Sequence, residues 1–221
     1  KDFEEKFEGR VIIDGNNLKY ISTDEVSSTC IIKELSDKNI INHKFTGKFN
    51  PLLSYPYFES GTYTKKINNI DCEVIFESEK FDNIFPDMNG NKIKKFIKIN
   101  GEVKEIYMGG IKNNKRDSHG VYFKGTVDKK NNPVQGIQYV GNFDEDKENG
   151  EGEERYIENG KYSFSKKGLF NLGIFKNGIV EHKKNNFYFR ALAEVKGDNL
   201  IFNLKNCILK KDFLSYNGSL N

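Results

Sequence analysis

Seven carboxylates crowd into residues 144–154: Asp144, Glu145, Asp146, Glu148, Glu151, Glu153 and Glu154. They surround Gly150-Glu151-Gly152, a spacing that in other settings cradles a phosphate. Here the carboxylates would repel phosphate, and no helix start follows. The same residues suggest calcium. An EF-hand loop beginning at Asp144 would place Asp146 and Glu148 at its third and fifth positions. It would then put Asn149 at the sixth and Arg155 at the twelfth, where glycine and glutamate are required. A hairpin with a solvated acidic turn fits the spacing better, and no metal is assigned to it.

The remaining reactive residues are scattered. His43, His119 and His182 show neither HxH nor HExxH spacing. Cys30, Cys72 and Cys207 form no CxxC pair and read as small buried residues in a reducing compartment. Ser118-His119 sits in an expected turn with no nucleophile elbow around it. Scattered carboxylates could meet in space as a glycosidase pair, but no motif recommends one. The expectation is a chain with no catalytic residues and no cofactor.

The elements that would position any site are strands. Ile, Val, Phe and Tyr number 22, 10, 18 and 11, against 12 Leu, 2 Met and 2 Ala. β-Branched and aromatic residues favour strands, whereas helices need Ala, Leu and Met. Asn-Gly and related pairs at Asn89-Gly90, Asn100-Gly101, Asn149-Gly150, Asn159-Gly160, Asn177-Gly178 and Gly197-Asp198 supply the positive φ of tight hairpins. Polar stretches at 113–118, 128–132, 144–149, Lys166-Lys167 and 183–186 add further turns. The best helical candidate, 31–41, breaks at Ser36-Asp37-Lys38-Asn39 and reads as strand, turn, strand. The expected fold is all-β, an elongated antiparallel meander with little or no helix.

One pattern, aromatic-x-Gly-x-apolar, begins at Phe7, Phe45, Tyr107, Phe123, Tyr139 and Tyr216. Composition alone would give about one copy, so stacked units are expected. Gly109, Gly125 and Gly141 are evenly stepped, as if by one strand and one turn each. In a strand, residues two apart share a face. The central glycine therefore lies beside both large residues and leaves room for an aromatic ring from a neighbouring strand. A β-branched residue at Gly141 is expected to collide with that cross-strand ring. A looser echo joins Gly15-Asn16-Asn17-Leu18 to Gly197-Asp198-Asn199-Leu200, each followed by a Cys-Ile stretch.

Tyr139, Gly141, Phe143, Gly150, Gly152 and Tyr156, closed by Asn159-Gly160, together resemble a complete MORN (membrane occupation and recognition nexus) repeat. Asp146 stands where that family usually carries a turn glycine. Tyr107, Gly109 and His119-Gly120 resemble a degraded copy, and Phe123 with Gly125 begins a partial one. The resemblance is clearest over residues 107–160. It implies a row of β-hairpins acting as a scaffold or dimerisation module in cytoskeletal or ciliary assemblies, or beside lipid kinases and lysine methyltransferases. It also implies phosphoinositide binding as an alternative.

Charge adds little selectivity. Thirty-five Lys and Arg against 32 Asp and Glu give +3, with no basic stripe, so nucleic acid is not an expected partner. No apolar run approaches the roughly 18 residues of a membrane span. Lys112, Lys115, Arg116, Lys129 and Lys130 fall in expected turns and could meet an anionic lipid surface if alternate turns share an edge. The chain begins Lys-Asp-Phe-Glu-Glu, which reads as a fragment or processed form. The expected organisation is an irregular β module over 1–105, a MORN-like hairpin array over 106–182 and further strands over 183–221. The expected role is a non-catalytic, cytoplasmic protein-interaction scaffold. Lipid binding and an accessory domain of a larger enzyme are the alternatives.

Overall fold

A computed structural model describes residues 9–14, 17–24, 29–35, 40–50, 57–67, 72–81, 89–211 and 214–218. Among them are sixteen strands and no helix. They are β1 (Gly9–Asp14), β2 (Asn17–Asp24), β3 (Thr29–Leu35), β4 (Ile40–Asn50), β5 (Tyr57–Ile67), β6 (Cys72–Ser78), β7 (Gly90–Ile99) and β8 (Glu102–Lys112). There follow β9 (Lys115–Val127), β10 (Pro133–Asp144), β11 (Lys147–Glu158), β12 (Lys161–Asn171), β13 (Ile174–Lys184), β14 (Phe187–Lys196), β15 (Asn199–Lys211) and β16 (Leu214–Gly218). Their order in the sheet is their order in the chain, an open antiparallel meander without a crossover. The all-β reading therefore holds, as the strand-forming composition requires.

The chain divides into two compact units, residues 1–106 with 111–114, and residues 107–110 with 115–221. In the first unit, register places Cys30, Phe45, Tyr63 and Phe76 side by side on consecutive strands. All four are buried, as are Ile32 and His43 on the same face. Tyr63 is tilted against Phe76, with ring centres 5.9 Å apart, and its hydroxyl lies 2.6 Å from His43 Nδ1. Phe81 meets Phe45 edge-on at 6.3 Å. Lys44 and Glu77, which alternate with these residues, are exposed. One face is thus apolar and the other wet, the usual solution for an antiparallel sheet.

In the second unit a row of glycines crosses the sheet. Gly120 faces Gly141, Gly141 faces Gly152, Gly152 faces Gly168, and Gly168 faces Gly178. Ala193 continues the row in β14. Gly109 belongs to it too, since a Cβ there would lie 2.7 Å from Gly120 Cα. Large rings fill the space this row leaves. Tyr107 covers Gly120 and Tyr139 covers Gly152. From Tyr107 the rings run edge to face through Phe143, Tyr139 and Phe170 to Phe175, at 5.3, 5.1, 5.0 and 5.4 Å. Each such pair adds about 0.5–1.5 kcal/mol beyond the area it buries.

Several turn assignments need correction. Asn149-Gly150 lies inside β11, Asn177-Gly178 inside β13, Lys166-Lys167 in mid-β12, and Ser118-His119 inside β9. Gly178 serves close strand approach, and Gly150 takes φ +87° beside an irregularity in the β10–β11 register, so neither Asn-Gly pair marks a hairpin. The turn at Leu172-Gly173 carries no Asn or Asp at its first central position and was not expected. The start of the Phe7 copy, the end of the Tyr216 copy and Gly15-Asn16 lie outside the described residues.

Candidate functional site

Three surfaces of the second unit are built by the meander, and each sorts the sequence-predicted residues differently. On the ring face, Tyr107 donates its hydroxyl to Gly110 O at 2.8 Å, and Tyr139 donates to Asn142 O at 3.3 Å. Burial raises both phenols, with Tyr139 pushed up to about 12. Each hydroxyl therefore acts as a fixed hydrogen-bond donor that braces a β-strand, with no acid-base role near neutral pH. Tyr156 packs against Phe164 at 5.3 Å, with Lys166 Nζ 5.7 Å from its ring centre and 3.0 Å from Glu154 Oε1.

The evenly stepped glycines do not share a face. Phe123 pairs with Gln138, which alternates with Tyr139, so Phe123 and Gly125 point to the reverse side. Gly125 lines up with Gly136, and the partner of Gly141 in β9 is Gly120. The ring over Gly141 also differs from expectation. A Cβ there would meet Tyr139 Oη of its own strand at 2.6 Å and Gly152 Cα at 2.6 Å. Rings from a neighbouring strand do cover Gly120 and Gly152.

The acidic segment 144–154 is dispersed by the same alternation. Asp146 accepts from Arg116 N at 2.8 Å and Arg116 Nε at 3.1 Å, while its carbonyl accepts from Arg116 Nη2 at 2.6 Å. The Arg116 guanidinium also lies 4.0 Å from the centre of the Tyr122 ring. Arg116 is thus a clamp between β9 and the β10–β11 turn, not a free surface cation. Glu148 sits half-buried, and burial followed by Glu154 raises its carboxyl above the ordinary range. Among the described residues no group of three or more His, Cys, Asp or Glu is placed to hold a metal ion. His119 approaches Asn142 at 3.4 Å, whereas His182 lies between Phe164 and Phe187.

A meander sends successive turns to opposite edges. Lys112, Lys115 and Arg116 flank the β8–β9 turn, at the other end of β9 from Lys129 and Lys130. Lys129 and Lys130 instead share an edge with Lys161, Lys183, Lys184, Lys210 and Lys211, all exposed. Asp128 is engaged there by the amides of Lys130 and Asn132, both at 2.8 Å, and Glu158 by Lys184 at 3.2 Å. That edge is strongly basic among the described residues. Sequence reading could have found it by numbering the turns and collecting every second one.

On the reverse face, one rung crosses four strands as Arg155, Ser165, Glu181 and Arg190. Glu153 accepts from Arg155 Nη2 at 2.8 Å, which lowers its pKa. Glu181 Oε1 lies 3.1 Å from Arg190 Nε and accepts from the Tyr188 hydroxyl at 3.4 Å. Glu153, Arg155, Ser165, Glu181 and Tyr188 line a shallow concavity of about 260 Å³, together with Tyr162 and Lys183. Apart from Glu153, which the sequence offers only as part of the acidic segment, none of them stands out as a site, because the rung takes one residue from each of four consecutive strands and only the register aligns them. Leu169, Leu192 and Ile201 are 40%, 47% and 42% exposed, in the strands that carry this face. No family model matches the chain, and no curated protein matches it.

Proposed function

We propose that the chain is a non-catalytic β-repeat scaffold that docks protein partners through its second unit. Leu172 carries this reading. It holds φ at +52° in the β12–β13 turn, where the other nine non-glycine residues with positive φ among the described ones are Asn, Asp, Ser or Glu. A bulky apolar residue is disfavoured in that conformation. Leu172 is 58% exposed and Ile174 beside it 54%, so neither is repaid by packing within the chain. An apolar tip that costs folding free energy and stays in water suits a surface that a partner covers. Tyr107 over Gly120 and Tyr139 over Gly152 support the MORN resemblance as part of the same reading. With that resemblance comes a cytoskeletal or ciliary setting and the option of a dimer.

In-cell cross-linking tests the proposal. A partner joined to the native chain should be lost from a Leu172→Asn/Ile174→Asn variant that keeps its strand spectrum. Unchanged cross-linking would overturn it.

A second reading, binding to anionic lipid, is favoured by the basic edge. Seven lysines at roughly 1 kcal/mol each near a charged surface would hold a vesicle without any pocket. Flotation with phosphatidylserine vesicles should then weaken as salt rises and on charge reversal of Lys129, Lys130, Lys183 and Lys184.

A further inference from the structure

We propose that the reverse-face concavity of β11–β14 is a binding site for a neutral carbohydrate, taking one pyranose ring of a glycan. Its size is the first argument. At about 260 Å³ it falls below the roughly 300–1,000 Å³ of sites for drug-sized ligands and cofactors, and it is shallow. A single small ring lying on a sheet fits that volume.

Charge is the second argument. The lining holds two carboxylates, Glu153 and Glu181, and two cations, Arg155 and Lys183. The balance leaves little net field to gather either an anion or a cation, which selects a neutral ligand. Each carboxylate is also held by a guanidinium through one oxygen: Glu153 through Oε2 and Glu181 through Oε1. The second oxygen of each remains to accept from a ligand hydroxyl. Ser165 lies between Arg155 and Glu181 on the same rung and can both donate and accept. Acceptors and donors fixed by ion pairs recognise the vicinal hydroxyls of a sugar, which carry both functions on adjacent carbons.

The third argument is aromatic. Tyr162 is 54% exposed, with the Arg155 guanidinium 5.0 Å from its ring centre and its hydroxyl donating to Gln138 Oε1 at 3.3 Å. Tyr188 lines the concavity from β14. A ring anchored at both its face and its hydroxyl, yet open to water, offers an electron-rich surface to the polarised C–H groups of a pyranose. Buried rings on the other face build the fold, whereas Tyr162 is left outside it.

The test uses the full chain, isotope-labelled, titrated with cellobiose, maltose, lactose, mannobiose and chitobiose, with inorganic phosphate as the charged comparison. Saturable amide shifts centred on Tyr162, Ser165, Glu181 and Tyr188 are expected with at least one disaccharide. The dissociation constant should be on the order of millimolar, as suits a ligand of this size. Tyr162→Ala should weaken binding about tenfold or more without changing the melting temperature, because the side chain is mostly in water. Glu181→Gln provides a second variant should the first disturb β12, and should also weaken binding severalfold. No saturable response to any of the five sugars, preference for phosphate over all of them, or equal binding by Tyr162→Ala and Glu181→Gln would overturn the proposal.

Discussion

Tyr139 of β10 lies over Gly152 of β11, so closely that a Cβ built on Gly152 would run into the Tyr139 hydroxyl and ring. The relationship recurs one hairpin earlier, where a Cβ on Gly120 would meet Tyr107 Cε2 and Oη at 2.5 Å. In both, glycine is required by the ring above it and not by its own backbone angles.

Gly152→Ala should therefore destabilise the second unit by about 1–3 kcal/mol, the cost of overpacking a filled site. Combining it with Tyr139→Leu should cost less than the sum of the two single changes, by more than about 0.5 kcal/mol. Chemical denaturation of the four proteins checks this. Strict additivity would mean that ring and glycine do not contact in solution.

Arg116 and Asp146 should behave as one unit. Arg116→Lys keeps the charge but loses the fork that reaches both the carboxylate and the carbonyl of Asp146, as well as the stacking on Tyr122. A loss of about 1–2 kcal/mol is expected. Asp146→Gly should be milder than Asp146→Ala, because Asp146 sits at φ +72° and glycine tolerates that region. Urea midpoints would separate the three.

The fold was legible because its signals are local. Alternation, β-branched residues and pairs such as Asn159-Gly160 speak to one strand or one turn at a time. What was not legible depends on register. Gly125 and Gly141 have the same motif around them, yet Gly125 faces Gly136 on one side and Gly141 faces Gly120 on the other. A shift of one residue exchanges the faces, and spacing along the chain does not reveal it. Arg116 looked like a surface cation for the same reason, since its partner Asp146 lies thirty residues away. The concavity around Ser165 is assembled from four strands, and the motif residues that β11 carries, Gly152 and Tyr156, alternate with Glu153 and Arg155 and so belong to the other face.

Glu148 and Glu153, on one strand, should show opposite pH signatures. Burial raises Glu148 above its ordinary value near 4.5, so the folded form keeps its proton to higher pH than the unfolded form. That stability is complete below the unfolded value and is lost as pH rises through the folded one. Glu148→Gln should therefore raise the melting temperature at pH 7 relative to the native chain and change it little at about pH 4. Glu153 is lowered, chiefly by its bond from Arg155, so its contribution exists above the unfolded value and is lost as pH falls. Glu153→Gln should lower the melting temperature at pH 7 and matter less in acid. Calorimetry across pH 3–8 reads both, and a shared sign would refute the assignment.

Leu172 offers a test in which stability and interaction move in opposite directions. Its φ of +52° belongs to the left-handed region, where a side chain crowds the following carbonyl and Asn is far better tolerated than Leu. At 58% exposure the leucine has little packing within the chain to lose. Leu172→Asn should consequently raise stability, by up to about 1 kcal/mol, with the β12–β13 hairpin unchanged. The equivalent change in the β11–β12 turn, Asn159→Leu, should lower stability by a similar amount, since Asn159 holds the same φ of +52°. Denaturation midpoints of the two variants decide the matter. If Leu172→Asn proved destabilising instead, the leucine would be holding the hairpin together, and its value as a sign of docking would disappear.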